Sequence, residues 1–500
     1  VSRRGTERFA RAVTAAQKSA EGIVVAGATK ARTMEGSKGG ELMRAERQNN
    51  QLELAFSKRS EGEARSGACE GTEVRVARAD TERPAAGPTM EEVLEPGNLR
   101  KALERVRRNK GAPGVDGMTV KELGDYLKER WPGIRAQLLE GSYSPQPVRR
   151  VEIPKAGGGM RPLGVPTVLD RFIQQAVGQV LGKRWDSSFS ESSYGFRPGR
   201  SAHQAVRRAQ EHIRAGCRIV VDVDLEKFFD RVNHDTLMGL VSRRVEDKRT
   251  LKLLRGYLNS GVLEGGLVSP TVMGVPQGGP LSPLLSNLML DVLDKELERR
   301  GHRFVRYADD CNIYVRSRRA GERVMEGVER FLAKRLKLVV NAAKSAVDRP
   351  ARRSFLGFSF TPGATPKRRV APKALVRFKE RVRELTRCVK SVSIDQLIKE
   401  LSSYLVGWRG YFGYCETPGV LGEVDKWIRR RIRAVVWRQW KRGRTRYKAL
   451  RRLGVGKDLA AQTAGSSHGP WRISMSPALS IALPNASLAK LGLASCCPAK

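Results

Sequence analysis

The sequence predicts an α/β unit followed by an all-helical region, both behind an N-terminal extension without the composition of a packed core. Three observations carry this. Between about 150 and 360, short β-rich runs such as Arg218–Asp224 and Phe304–Tyr307 alternate with helical stretches such as Ala320–Leu336. After Pro372 the apolar positions take helical spacing: Ile394, Leu397, Ile398, Leu401, Tyr404, Leu405, Trp408, Tyr411 and Phe412 fall on one face. Residues 1–88 hold only Phe9 and Phe56 as aromatics and are rich in Ala, Gly, Glu, Arg and Ser. Such a stretch buries too little apolar surface to offset its ordering entropy and is expected to be disordered.

Taken in order, ordered structure is expected to begin near Met90. A helix over Asn98–Val106 stops at Gly111-Ala112-Pro113-Gly114-Val115-Asp116-Gly117, a loop dense in turn formers. The expected domains are 1–88, a basic extension; 89–365, the α/β unit; 366–455, the helical region; and 456–500, a C-terminal tail with a DNA-binding role open to it.

Charge bounds the partners. Lys and Arg number 93 against 52 acidic residues, a formal net charge of +41. A compact chain with that surplus repels itself unless a polyanion shares its surface, and phosphates reward each cation by releasing counterions. Nucleic acid is the expected partner, ahead of an anionic membrane. The seven cysteines and five histidines show no ligand spacing, which argues against structural zinc or a disulfide framework and for a reducing compartment. No apolar run is long enough to span a membrane.

Two acidic constellations carry chemistry. In Val220-Val221-Asp222-Val223-Asp224, alternation puts the valines on a buried face and both acids on the other. In Phe304-Val305-Arg306-Tyr307-Ala308-Asp309-Asp310-Cys311-Asn312-Ile313, two β-rich runs flank Asp309-Asp310, a hairpin with acids at its tip. Either alone is as ordinary as a solvated strand face or turn. Together, 85 residues apart from Asp224 to Asp309, they form a candidate site for two Mg²⁺ ions. Between them, Gly274-Val275-Pro276-Gln277-Gly278-Gly279-Pro280 allows close backbone approach to a ligand or is a plain loop before a helix. Lys155 and Arg161 bracket a Gly157-Gly158-Gly159 turn, with cations suited to a triphosphate. His203, His212, His234, His302 and His468 are read as structural.

These pieces, in this order, resemble the reverse transcriptases of bacterial group II introns from about Met90 to Leu493. The resemblance is carried by Tyr307-Ala308-Asp309-Asp310, Asn109-Lys110-Gly111-Ala112-Pro113-Gly114-Val115-Asp116-Gly117, Ser193-Tyr194-Gly195-Phe196-Arg197-Pro198 and Ser354-Phe355-Leu356-Gly357-Phe358. It implies a right hand, with fingers and palm around an antiparallel palm sheet and a helical thumb. It implies Asp224, Asp309 and Asp310 as catalytic, metal-holding carboxylates, with Asp222 as a neighbour. Lys155, Arg161, Phe229 and Gln277 would then contact the incoming dNTP, with Phe229 excluding a 2′-hydroxyl. Lys344 falls where a general acid for the leaving pyrophosphate is expected, and a structural role stays open to it.

The implied activity is RNA-directed DNA polymerisation. Implied with it are intron-RNA binding that aids splicing, and reverse transcription primed at a DNA target in the bacterial cytoplasm or nucleoid. Between Lys426 and Arg452 stand thirteen basic and no acidic residues, interleaved with Trp427, Trp437, Trp440 and Tyr447. Arg429, Arg430, Arg433 and Arg438 are the expected RNA contacts. The chain's end resembles the endonuclease-lacking, group IIC-like lineage, so no DNA endonuclease domain is expected. Two alternatives are a reverse transcriptase outside mobile introns, against which the region after Pro372 argues, and a splicing factor that does not polymerise, against which the three intact acids argue.

Overall fold

The computed structural model describes residues 87–500, apart from 155–158, 265–266, 270, 272, 388–391 and 498–500. The expectation of disorder for 1–88 therefore falls almost wholly outside the described residues. Among the described residues the first helix begins at Met90. The chain divides into two compact units: one takes the residues up to Ala205 with Val221–Val347, the other takes Val206–Val220 with Asp348–Lys500.

In the first unit, helices Pro96–Asn109, Leu123–Glu140 and Val168–Trp185 bury Leu99, Leu103, Leu127, Trp131, Phe172 and Val177 in one core. The glycine-rich segment after Asn109 turns at Lys110, a left-handed C-cap with φ 45°. Arg171 pins that segment by donating to the Ala112 carbonyl at 2.6 Å. A Cβ on Gly114 would stand 2.5 Å from Thr167 Cα, so a larger residue is excluded there.

Strands β1 (Val148–Pro154) and β2 (Met160–Val165) form the expected antiparallel hairpin, with Ile153 opposite Arg161. With β4 (Val262–Glu264) and β5 (Leu267–Ser269) they make a four-stranded sheet of order β2-β1-β4-β5. A second sheet, of order β6-β7-β3-β8, holds β3 (Ile219–Val223), β6 (Arg303–Tyr307), β7 (Asp310–Val315) and β8 (Ala346–Asp348). Its β6–β7 pair is antiparallel. Period-two alternation explains β3: Val221 and Val223 are buried, while Asp222 and Asp224 are half-buried on the other face. The stretch read as one helix over Ala320–Leu336 is an α-helix only to Phe331. Residues Leu332–Leu336 form a π-helical turn ended by left-handed Lys337.

The described residues of the second unit are mostly helical, with the short antiparallel pair β9 (Phe358–Phe360) and β10 (Arg368–Val370). Helix Ile394–Phe412 buries Leu397, Ile398, Leu401, Leu405 and Trp408, the face its spacing predicts. Helix Pro418–Gln439 buries Leu421, Val424, Ile428, Ile432 and Trp437 against it. Residues beyond 455 share this core: Ala460, Ile473, Leu479, Leu483, Leu488 and Cys496 are buried in the same cluster. The expected boundary at 455 thus falls inside one apolar core, and the expected boundary at 365 lies 18 residues past the observed division at Val347. Among the described residues no helix is long and apolar enough to cross a membrane.

Candidate active site

The β6–β7 hairpin places the acids. Tyr307 pairs with Asp310, leaving Ala308 and Asp309 as a two-residue turn. Ala308 adopts φ 56°, the positive value that such tight hairpins demand at their first central residue. Without a glycine there, the turn stores roughly 1–3 kcal/mol of strain. Asp309 sits at the tip and Asp310 opens β7.

Asp224, just past β3, is fixed through its backbone. Its N–H donates to Ser345 Oγ at 2.9 Å, and its carbonyl accepts from Asn341 N–H at 2.8 Å. The same segment brings Lys344, whose Nζ lies 3.5 Å from Asp224 Oδ1. Asp222 accepts from the amide of buried Asn312 at 3.0 Å once that amide is oriented by its neighbours.

The electrostatics report crowding. Asp309 is raised above the usual carboxylate range, first by burial and then by the charge of Asp224; its own backbone N–H, Arg161 and Lys344 oppose this. Asp310 reaches solvent, yet protein surrounds most of it. That lost hydration, followed by the charges of Asp309, Asp222 and Asp224, pushes its pKa up to about 7. Such a set gains from a divalent cation, and its hard oxygens suit magnesium-class ions. Among the described residues, no three acidic, His or Cys side chains are gathered closely enough to hold one ion as they stand. The acids are nonetheless neighbours: β7, which Asp310 opens, lies next to β3, which Asp224 follows.

The other expected site residues distribute as follows. Arg161 is exposed on β2 and close enough for its charge to act on Asp309. Lys155 lies outside the described residues. Phe229 is half-buried and meets Phe228 edge-on at 5.2 Å. Its carbonyl accepts from Val275 N–H at 2.7 Å, tying it to the Gln277 loop. The Gln277 carbonyl in turn accepts from Gly164 N–H at 2.9 Å on β2. Gly278, at φ 128°, passes so close that a Cβ would stand 2.7 Å from the Gly164 carbonyl oxygen. Buried His234 opens a helix capped by Asn233 and bonds the Gly274 carbonyl at 2.7 Å, the structural part expected of it.

On helix Pro418–Gln439 the four expected RNA contacts separate. Arg433 donates to the Leu483 carbonyl at 3.0 and 3.1 Å. Arg430 donates to the Trp471 carbonyl at 3.1 Å and lies 3.9 Å over the Trp471 ring. Arg438 is exposed and Arg429 half-buried.

One group escaped the sequence reading. Arg306 and Asp294 form an ion pair with 0% side-chain exposure each. Burial works against the Arg306 charge, and the Asp294 carboxylate outweighs it and holds the guanidinium charged. A signal was present: Asn287, Asp291 and Asp294, at helical spacing, make a polar stripe among the leucines of helix Ser282–Arg299.

The mixed α/β unit, with its acid-tipped hairpin beside an acidic strand end, is similar to known proteins. Residues 153–360 match the family described as reverse transcriptase (RNA-dependent DNA polymerase). Residues 375–454 match the group II intron, maturase-specific domain. Protein YkfC of Escherichia coli K12 is 41% identical over 215 residues, 42% of this chain and 56% of its own length. The group II intron-encoded protein LtrA of Lactococcus lactis subsp. cremoris is 38% identical over 204 residues, 41% of this chain and 34% of its own. A putative COX1/OXI3 intron 2 protein of Saccharomyces cerevisiae is 27% identical over 387 residues, 64% of this chain and 43% of its own. The chain thus spans about half of YkfC and a third of LtrA. Two stretches of the chain are similar to known families: residues 153–360 to the reverse transcriptases and residues 375–454 to the group II intron maturase-specific domain.

Proposed function

We propose that this chain is an RNA-directed DNA polymerase that also binds its intron RNA, aids its splicing and copies it from a DNA primer at a target site. The observation that carries the reading is the meeting of Asp224 with Asp309 and Asp310 at adjoining strand ends, beside Lys344. The first unit would act as fingers and palm, the helical second unit as thumb and maturase region.

Asp224 and Asp309, with Asp310 beside them, would hold two Mg²⁺ ions, which when bound supply charge neutralisation at the attacking and leaving oxygens. The chain's own groups do the rest. Arg161, with Lys155, would grip the triphosphate as it enters along β2. Phe229 would press against the sugar edge, and the Gln277 loop would lie beside the nascent pair. The primer 3′-hydroxyl would give its proton to solvent water and form a bond to the α-phosphorus while the bond to pyrophosphate breaks. Lys344 Nζ, an exposed cation 3.5 Å from Asp224 Oδ1, would give the leaving group a proton. Such transfer is mostly positioning and electrostatics, which is what a rigid hairpin with crowded acids provides.

The test is primer extension with dTTP on poly(rA)/oligo(dT). Asp309→Ala and Asp224→Ala should each lower incorporation about 100- to 1,000-fold or more, the lower bound being the scale of removing one electrostatic group. Intron-RNA affinity should be unchanged. Near wild-type incorporation by Asp309→Ala would end the assignment.

A further inference from the structure

The catalytic turn carries strain that its own residues do not explain. Ala308 stands at φ 56° and Phe196, on the segment facing it, at φ 58°. Non-glycine residues hold such angles where their surroundings over-determine them. Here the surroundings are shared. Arg306 Nη1 donates to the Ala308 carbonyl at 2.9 Å and to Asn287 Oδ1 at 3.0 Å. Asn287 Nδ2 donates to the Gly195 carbonyl at 2.8 Å. Arg306 Nε and Nη2 fork onto the two oxygens of Asp294 at 2.8 and 2.5 Å. The backbones close the ring: Tyr194 N–H donates to the Arg306 carbonyl and Arg306 N–H to the Ser192 carbonyl, both at 2.9 Å. Gly195 then lies so near the turn that a Cβ would stand 2.2 Å from Ala308 N.

A buried ion pair is seldom better for stability than apolar side chains of the same volume. What the guanidinium adds is direction: it is planar, its donors stand at fixed angles, and four of its five N–H groups are used here. A lysine could satisfy Asp294 but could not reach all three partners in one plane.

We propose that Arg306, oriented by Asp294 and coupled through Asn287 to Gly195, is the positioning residue of the active site. It clamps the strained turn against the 193–197 segment and so sets where Asp309 and Asp310 are presented. The inference rests on the carboxylate reading above. It assigns Arg306 no contact with substrate, and it predicts that disturbing the clamp affects turnover more than substrate binding.

Three full-length variants test it: Arg306→Lys, Asn287→Ser and Gly195→Ala, the last forcing the turn away by its Cβ. Each is assayed for kcat, dTTP KM, the Mg²⁺ concentration giving half-maximal rate, primer–template affinity by anisotropy, and melting temperature. A shift of the acids by about 1 Å costs on the order of 100-fold in rate. We expect a kcat loss of that order in Arg306→Lys and Gly195→Ala, with a smaller loss in Asn287→Ser. The half-maximal Mg²⁺ should rise several-fold, and primer–template affinity should stay within about threefold of wild type. A purely stabilising pair would instead lower the melting temperature and leave kcat and metal demand of the folded fraction intact; that result overturns the proposal. If Arg306→Lys does not fold, Gly195→Ala and Asn287→Ser decide, and wild-type kcat in both overturns it. Asp309→Ala run alongside separates the two layers. Activity retained there sinks the carboxylate reading, whereas activity lost there but retained in the three variants sinks only the clamp.

Discussion

At the scale of single residues, Asp310 ties the site's electrostatics to stability. Folding raises its pKa from an ordinary 3.8 to about 7, so folding favours its neutral form. The sign follows: that contribution is full below about pH 4 and is lost as pH rises through 7. Without divalent ions, Asp310→Asn should therefore melt higher than wild type at pH 8, and the gap should close towards pH 4. Mg²⁺ should raise the wild-type melting temperature at pH 8 more than that of Asp310→Asn. Thermal melts in EDTA and in Mg²⁺ measure both, and an Asn variant that melts lower at pH 8 in EDTA would contradict the account. Phe229 makes a second residue-level prediction. It is half-buried, so its ring packs on Phe228 while one side remains accessible. Phe229→Val should keep dNTP incorporation within about tenfold while improving rNTP use by roughly tenfold or more, the scale on which pocket size discriminates. Unchanged discrimination in competition assays would make it a packing residue only.

At the scale of elements, the basic helix Pro418–Gln439 shows why charge in a sequence is a coarse guide. All four of its singled-out arginines looked alike, because a one-dimensional pattern does not tell a cation facing phosphate from one facing a carbonyl. Arg433 uses its fork on the Leu483 carbonyl, so Arg433→Glu should lower the melting temperature by several degrees, a loss of roughly 1–3 kcal/mol. Exposed Arg438 is the better candidate for an RNA contact. Arg438→Glu should leave the melt unchanged, weaken intron-RNA binding, and flatten the slope of log K against log salt by about 0.7–0.9. Equal destabilisation by both would remove the distinction. Elements with strong period were legible beforehand. Alternation found β3 and the acid-tipped hairpin, and the 3.6 period found helix Ile394–Phe412. The Arg306–Asp294 pair was not legible, because a buried charge in a strand looks like an exposed one until its partner, 12 residues away on another element, is brought to it. The π-turn at Leu332–Leu336 was missed because it keeps the apolar spacing of the helix it ends.

At the scale of the whole molecule, the surplus of positive charge fits the nucleic-acid partner proposed for this chain. The order of its segments is less simple than the domain map read from the sequence. The second unit recruits Val206–Val220 from the middle of the first. Within it, buried Gln210 donates to the Pro366 carbonyl and to Glu416, both at 2.7 Å, and Arg368 donates to Gln210 Oε1. Gln210 and Glu416 are 206 positions apart, so at about 5–20 residues per second a ribosome takes roughly 10–40 s to deliver the partner after Gln210 has been made. Through that interval Val206, Ala209 and Gln210, all buried at the end, have no finished unit to enter. Synthesis of this protein thus includes an obligatory wait, during which an apolar and polar surface stands open to chaperones or to the nascent chain's own basic segments.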